Sequence, residues 1–254
     1  MNITSFSREQ IQEGIDNARK EHVEPNDHIR VLFAPERINE NNFERACDIY
    51  SRVDMSNYDT VVVVESHDEK LDKKLPMASN ATFETSIGEV PVDDYMRNEF
   101  CDEDDDFFIH DEAFDKDISL FQQLMFLQTL SDDFKALSVQ IADPDPAIVK
   151  EIGYVLEEVL ASRSALLVFC CELDNDRKKE FENVVEMVEN KNESGLMNYL
   201  NSGESKIKGT TAFIAGIIVA NKWGLDLHFL RGKYDDYMGS LLTGYADRQK
   251  VVFS

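Results

Sequence analysis

Two runs of apolar residues, each ending abruptly in polar side chains, constrain the fold of this chain more than any other feature. The first is TVVVVESHD at residues 60–68, and the second is SALLVFCCELDN at residues 164–175. A strand that is buried on both faces has an unbroken apolar sequence rather than an alternating one. In open α/β sheets, ligands bind just beyond the carboxyl ends of such strands. Any site is therefore expected among the polar residues that follow these two strands: Ser66, His67, Asp68, Cys171, Glu172, Asp174 and Asn175.

Strands and helices alternate along the rest of the chain. The pattern predicts further strands at residues 29–34, 134–142, 225–230 and 250–253, with a short extended piece at 83–85. It predicts helices at residues 1–22, 41–51, 93–100, 117–130, 147–161, 177–201 and 209–221. Strand–helix–strand units of this kind are parallel and right-handed. The predicted fold is a single three-layer α/β domain over residues 1–254, with a largely parallel central sheet and helices on both faces.

The balance of charge and the absence of long apolar runs exclude several classes of partner. The chain has 50 acidic residues against 26 basic ones, and its formal net charge is −24. Such a field repels nucleic acids and anionic membranes, so neither is expected as a partner. No apolar run approaches the roughly 20 residues that cross a bilayer, and residues 1–20 lack a signal-peptide pattern. We therefore expect a cytoplasmic protein.

The standard motifs of nucleotide-binding and hydrolytic enzymes are missing from the sequence. There is no P-loop, no GxGxxG fingerprint after a strand and no GxSxG elbow. The four cysteines lack CxxC spacing, so a zinc site is not expected, and the adjacent Cys170 and Cys171 are interpreted as reduced core thiols. The acidic run CDEDDD at residues 101–106 lacks the pattern of a calcium loop and is interpreted as a solvated loop.

The polar residues at the strand ends leave more than one chemistry open. His67 is accompanied by two glutamates, Glu36 and Glu172, that each follow an apolar run. A lone histidine in such a place is more often a hydrogen-bonded core residue than a ligand. One imidazole and two carboxylates can hold a hard divalent ion, and paired carboxylates can also act as acid and base.

Short motifs spread over most of the chain form a series. In order, they are Ala34-Pro35-Glu36, Glu65-Ser66-His67, Phe83–Gly88 with Val92-Asp93, Ile118–Leu127, Cys170–Asp176, Lys208-Gly209 and Thr243–Ala246. In this order and spacing they resemble the Memo family, also called protein B of the AmmeMemoRadiSam system. Ser66-His67 matches the end of that family's Gly-Pro-Ser-His, and Thr243–Ala246 resembles its closing Val-Gly-Tyr-Ala. The family is related in fold to class III extradiol dioxygenases, which implies a similar sheet here.

The resemblance also implies a metal site that this chain has largely lost. The family's metal-binding positions are two histidines and a cysteine, which correspond here to Glu36, His67 and Lys208. Three further motif positions differ as well: Glu172, Asn175 and, approximately, Ile118. An ammonium group repels a divalent cation at short range. We therefore expect Glu36 and Lys208 to form an ion pair beside His67, with no metal and no other cofactor.

Two possible functions follow from the resemblance to the family and from the positions at which this chain differs from it. The first is a divergent Memo-like protein that is not an enzyme and binds an unknown small molecule or protein partner. Its polar pocket is predicted to contain Glu36, Ser66, Glu172, Asp174 and Asn175. The alternative is an enzyme that is dioxygenase-like or hydrolytic, with a divalent ion held by Glu36, His67 and Glu172. In a metal-free form of that enzyme, His67 is the general base and Lys208 stabilises an anion.

Overall fold

The chain folds into strands and helices arranged around one large sheet. The computed structural model describes residues 6–21, 28–114, 118–230 and 241–248. The strands in these ranges are β1 (Ile29–Ala34), β2 (Thr60–Ser66), β3 (Leu75–Met77), β4 (Thr82–Glu84), β5 (Glu89–Pro91), β6 (Phe107–Ile109), β7 (Lys135–Ile141), β8 (Ala165–Cys170), β9 (Asp226–Phe229) and β10 (Gly244–Asp247). The helices are α1 (Arg8–Arg19), α2 (Phe43–Ser51), α3 (Asp94–Glu103), α4 (Leu120–Leu130), α5 (Pro146–Leu160), α6 (Lys178–Glu189), α7 (Glu193–Asn201) and α8 (Thr210–Lys222).

The large sheet has four parallel strands at its centre and an antiparallel pairing on each side of them, of β3 with β7 and of β10 with β1. Its order is β6-β3-β7-β2-β8-β1-β10-β9, and β4 and β5 form a separate two-stranded sheet. The strands β7, β2, β8 and β1 are parallel to one another, whereas β10 and β9 run antiparallel to their neighbours. The predicted α/β fold with a largely parallel central sheet is confirmed.

The two apolar runs form neighbouring strands at the middle of this sheet. Every residue of β8 is buried, and so is every residue of β2 except Ser66 at its end. Helices cover both faces, which explains why these strands do not alternate between apolar and polar residues. The buried side chains form one cluster that extends from Ile11 to Ala246.

Helix α8 lies close against the sheet because it carries a glycine where two aromatic rings approach it. A Cβ atom at Gly216 would lie 2.6 Å from the Phe33 ring and 2.9 Å from the Phe169 ring. The Phe33 ring also meets the Phe213 ring of α8, with 5.4 Å between their centroids. The prediction that residues 209–221 form a buried helix allowing close approach is confirmed for α8.

The segment 177–201 is two helices rather than the single helix predicted from its charge and apolar spacing. Helix α6 ends at Glu189, and Lys191 adopts a positive φ of 52°. The Asn192 side chain then accepts a hydrogen bond from the Gly195 N–H and begins α7. A left-handed residue followed by an asparagine N-cap ends one helix and starts the next.

Other differences lie at element ends and in short strands. The helix predicted from residue 117 begins at Leu120, and residues 101–103 of the acidic run belong to α3 rather than to a loop. Strand β10 lies between the predicted strands at residues 225–230 and 250–253, where the pattern predicts no strand. The strand predicted at residues 250–253 lies outside the described residues. Each helix in the described part of the chain falls short of the length and apolarity needed to cross a bilayer.

The aromatic cluster between the sheet and α8 makes a stability prediction. Phe213 is fully buried, so Phe213→Ala leaves a cavity and is expected to lower the free energy of unfolding by about 3–5 kcal/mol. The control is Phe121→Ala, because the Phe121 side chain is 38% exposed. Urea denaturation of both variants measures the difference. Equal losses for the two variants would contradict the packing described for α8.

Candidate functional site

The sheet order brings the three predicted strand ends to the same edge of the molecule. Strands β2, β8 and β1 are adjacent and parallel, and Ala34 lies opposite Cys170 in the register. The residues that follow these strands therefore lie together at the carboxyl end of the sheet: Glu36, His67 and Glu172. A small cavity of about 30 Å³ opens there, lined by Glu36, Arg37, Glu65, Ser66, His67, Asp68, Ile118, Ser119 and Gln140.

Glu36 is a carboxylate whose surroundings oppose its charge. Its pKa is raised to about 7, first by burial and then by the negative charge of Glu172, while Arg37 acts in the opposite direction. The carboxylates of Asp68 and Glu65 raise the pKa further, each by less than Glu172 does. A carboxyl group with a pKa near neutrality can exchange a proton at physiological pH.

Glu65, which the sequence interpretation did not include in the site, forms one wall of this cavity. One oxygen of its carboxylate accepts a hydrogen bond from the Ser119 N–H, and the other accepts one of 2.8 Å from Gln140 Nε2. Burial raises the pKa of Glu65, and these hydrogen bonds act against that rise. A charged residue within an otherwise apolar strand was the signal in the sequence that could have identified it.

Lys208 lies beside Glu172, to which its own backbone is hydrogen-bonded. The Lys208 N–H donates to the Glu172 carbonyl at 2.8 Å, and the Glu172 N–H donates to the Lys208 carbonyl at 3.0 Å. The Lys208 ammonium lies 3.9 Å from the Glu172 carboxylate and 3.6 Å from that of Asp174. The predicted ion pair between Glu36 and Lys208 is wrong, because the backbone bridge directs the ammonium to the carboxylates that follow β8.

The charge of Glu172 is opposed by burial and supported by nearby hydrogen-bond donors and cations. Its carboxylate is buried, and burial is the main reason that its pKa is raised. The Lys208 ammonium is the strongest opposing influence, and the Arg37 N–H also donates to the carboxylate. Lys208 itself is half exposed. The pair therefore links a buried anion to a cation at the surface.

Ser66 and His67 follow the same strand but have different partners. The Ser66 hydroxyl oxygen accepts a hydrogen bond of 3.1 Å from the Ala212 N–H and lies 2.6 Å from the Thr211 hydroxyl. Ser66 thus joins the end of β2 to the first turn of α8. His67 Nδ1 lies 3.1 Å from the Glu69 nitrogen and 2.7 Å from its carbonyl oxygen. The Asn175 side chain lies outside the described residues.

A metal ion does not fit the residues that the structure places at this edge. The donor atoms of Glu36, His67 and Glu172 do not form a cluster within 4.8 Å of one another, as far as the described residues show. Lys208 adds a positive charge beside Glu172. Coulomb repulsion would weaken binding of a divalent cation there.

Three other carboxylates have oxygen atoms within 4.8 Å of one another, close enough to share an ion. They lie between the carboxyl end of α3 and helix α5. They belong to Asp104, Asp106 and Glu151, and all three residues are half buried. The Lys74 ammonium binds Asp106 at 2.8 Å. Burial and hydrogen bonds to the two aspartates raise the pKa of Glu151 to about 7. Residues 104–106 lie in the turn after α3, as the interpretation of this run as a loop implies, but Asp104 and Asp106 are half buried there.

Comparison with known proteins agrees with this arrangement of strand-end motifs. The model of the family described as Memo-like protein matches residues 6–252. The chain belongs to the Memo family. The resemblance seen in the sequence is thereby confirmed, and the mostly parallel sheet flanked by helices is consistent with the Memo fold.

Two curated members of the MEMO1 family are similar to this chain over part of their length. One, from Nitrosopumilus maritimus, is 24% identical over 137 residues, which are 54% of this chain and 50% of that protein. Another, from Thermotoga neapolitana, is 26% identical over 150 residues, or 55% of this chain and 53% of that protein. The aligned part of this Memo-family chain thus spans about half the length of the curated relatives it matches.

The Lys208-Gly209 motif depends on the left-handed conformation of Gly209. Its φ is +66°, and a Cβ atom there would lie 2.3 Å from the Cys170 carbonyl oxygen. Gly209→Ala should therefore destabilise the protein by more than Gly203→Ala, by at least about 1 kcal/mol. Gly203 is the matched control, because its φ is +77° but no atom lies within 4 Å of its Cβ position. Equal free energies of unfolding in urea for the two variants would contradict the close contact.

The carboxylate cluster at Glu151 makes a prediction about pH. The folded-state pKa of about 7 exceeds the ordinary value of 4.5, so the folded state binds the extra proton more tightly. The stability that the folded state gains from binding this proton is complete below pH 4.5 and is lost as the pH rises through 7. Glu151→Gln should therefore stabilise the protein at pH 8 more than at pH 5. Urea denaturation at both pH values tests this, with exposed Glu158→Gln as the control; no pH dependence of the difference would refute it.

Proposed function

We propose that this Memo-family chain is a non-catalytic binding protein whose strand-end pocket accepts a small molecule or a group of a protein partner. The observation that carries the proposal is the position of Lys208. Its ammonium lies 3.6 Å from Asp174 and 3.9 Å from Glu172, where the family resemblance implies a cysteine ligand for metal. The ammonium group of Lys208 thus supplies the positive charge that a bound metal ion would supply at this position.

The remaining donors support the same proposal. His67 is the one residue of the three implied metal-binding positions that keeps its identity, and a single imidazole does not bind a metal ion tightly. Glu36 stands at the other position, with a pKa raised to about 7. A carboxyl group that is partly protonated at neutral pH is a weaker ligand for a cation than a carboxylate. The two substitutions, Glu36 and Lys208, thus act in the same direction.

The pocket also limits what it can bind. Its volume of about 30 Å³ holds little more than one water molecule or the end group of a larger molecule. Three of its nine lining residues are acidic (Glu36, Glu65 and Asp68), and one, Arg37, is basic. A hydrogen-bond donor such as a hydroxyl or an amine of the ligand suits these walls best. The body of that ligand would lie over the exposed edge near Lys208 and Asp174.

A second candidate function is acid–base catalysis without a metal, and the pKa of Glu36 is the observation that favours it. A carboxyl group with a pKa of about 7 can donate or accept a proton at neutral pH. His67 lines the same cavity. Lys208 would then stabilise a developing negative charge on the substrate. The chemistry of this candidate depends on Glu36 and His67 together, whereas the binding function depends mainly on the shape and charge of the pocket.

The metal content of the purified protein separates the proposed function from its metal-dependent alternative. Protein prepared without chelator and then dialysed against iron, copper or zinc is expected to retain far less than one ion per chain at this edge. His67→Ala should change neither the metal content nor the free energy of unfolding appreciably. A near-stoichiometric ion that is lost in His67→Ala would overturn the proposal and support a metal enzyme.

A gain-of-function variant supplies the control for this measurement. The double variant Glu36→His with Lys208→Cys restores the residue types of the implied metal-binding positions beside His67. It is expected to bind zinc or copper at least tenfold more tightly than the natural chain. Equal affinities in the two proteins would show that Glu36 and Lys208 are not the residues that exclude the metal.

A further inference from the structure

A second cavity lies between helices α5, α7 and α8 and shares no residue with the strand-end pocket. Its volume is about 110 Å³. The residues that line it are Lys150, Tyr154, Glu193, Leu196, Met197, Ile214, Ile217, Ile218 and Lys222. Five of these nine residues are leucine, isoleucine or methionine, so the wall of the cavity is mainly apolar.

The floor of this cavity is built from buried aliphatic side chains. Leu196, Ile214 and Ile217 are each at most 4% exposed. Helices α5 and α8 are in close contact at Gly153, where a Cβ atom would lie 2.8 Å from Ile218. The floor is therefore fixed by the packing of helices against each other, and a ligand would not have to order it on binding.

The charged side chains around the mouth of the cavity balance one another. The Lys222 ammonium lies 3.5 Å from the Glu157 carboxylate and 3.9 Å from the centre of the Tyr154 ring. The other two charged residues of the lining are Lys150 and Glu193, one of each sign. Two lysines are thus matched by two glutamates, and the mouth attracts neither an anion nor a cation.

We propose that this cavity binds a small neutral molecule with a short aliphatic chain, of which a primary alcohol is the simplest example. The chain of the ligand lies against Leu196, Ile214 and Ile217, and its neutral polar end lies at the mouth in contact with water. Apolar cavities of about 150 Å³ hold molecules of the size of benzene. A volume of about 110 Å³ therefore suits a somewhat smaller apolar group, a chain of about five carbons.

The balance of charge at the mouth determines which end group is preferred. An ionised end group loses part of its hydration there and gains no net Coulomb attraction in return. A hydroxyl group loses much less, and the Tyr154 side chain, which is 51% exposed, offers a neutral hydrogen-bond donor and acceptor. The neutral chain therefore binds more tightly than the carboxylate or the amine of the same length.

The test titrates the full chain, with its isoleucine methyl groups labelled for NMR, with 1-pentanol, pentanoate and pentylamine. 1-Pentanol is expected to shift the Ile214, Ile217 and Ile218 resonances and to bind at least about threefold more tightly than either ion. Its affinity should not change with salt concentration, because salt screens only charges. 1-Propanol should bind about 15-fold more weakly, since each buried methylene changes affinity about fourfold. Absence of shifts at these residues with all probes, or binding of either ion as tight as that of 1-pentanol, would overturn the proposal.

Two single variants test the balance of charge at the mouth. Lys150→Met leaves an excess of negative charge and should raise the affinity for pentylamine relative to pentanoate. Glu193→Gln should do the reverse, and glutamine can still accept the hydrogen bond that Asn221 donates to Glu193. Neither variant should change the affinity for 1-pentanol, and the exposed control Lys135→Met should leave all three affinities unchanged. The same ratio of the two ion affinities in Lys150→Met and Glu193→Gln would refute the role assigned to these charges.

A third variant tests the location of the ligand. Ile217→Trp fills the cavity and should abolish binding of 1-pentanol. Met197→Trp, at a half-buried position of the wall, serves the same purpose if Ile217→Trp fails to fold. Undiminished binding of 1-pentanol to the filled variant would show that the alcohol binds elsewhere and would contradict the proposal.

Discussion

The parallel pairing of β1, β8 and β2 is the constraint on which the rest of the structure depends. Because Ala34 lies opposite Cys170 and Val64 opposite Phe169, the three strands end at one level. The polar residues that follow these strands therefore lie together at the carboxyl end of the sheet. The cavity at Glu36 and the bridge between Glu172 and Lys208 are both consequences of this register.

Crowding of carboxylates at that edge has an energetic cost that the fold offsets in different ways. Glu65 is satisfied by hydrogen bonds from Ser119 and Gln140, and Glu172 by an ammonium group and a backbone N–H. Burial raises the pKa of all three carboxyl groups, and that of Glu36 reaches about 7. Burying a charge without a partner costs more than any of these arrangements.

The sequence predicted the centre of the sheet well and the contacts of the site less well. Unbroken apolar runs identify β2 and β8, because only strands covered on both faces tolerate them. Three-residue strands such as β3 and β6 are too short to show a period. The partner of Lys208 was mispredicted because its position depends on a backbone bridge formed by residues 36 positions apart, Glu172 and Lys208. The spacing of residues in the sequence does not predict such a bridge.

Helix α8 contributes to two separate places in the molecule. Its first turn is hydrogen-bonded to Ser66 at the end of β2, and its later turns supply Ile214, Ile217 and Lys222 to the cavity between α5, α7 and α8. An occupant of that cavity that displaced α8 along its axis would therefore also move the hydrogen-bond partner of Ser66. By reciprocity, a ligand at the strand-end site would change the affinity of such an occupant by the same factor.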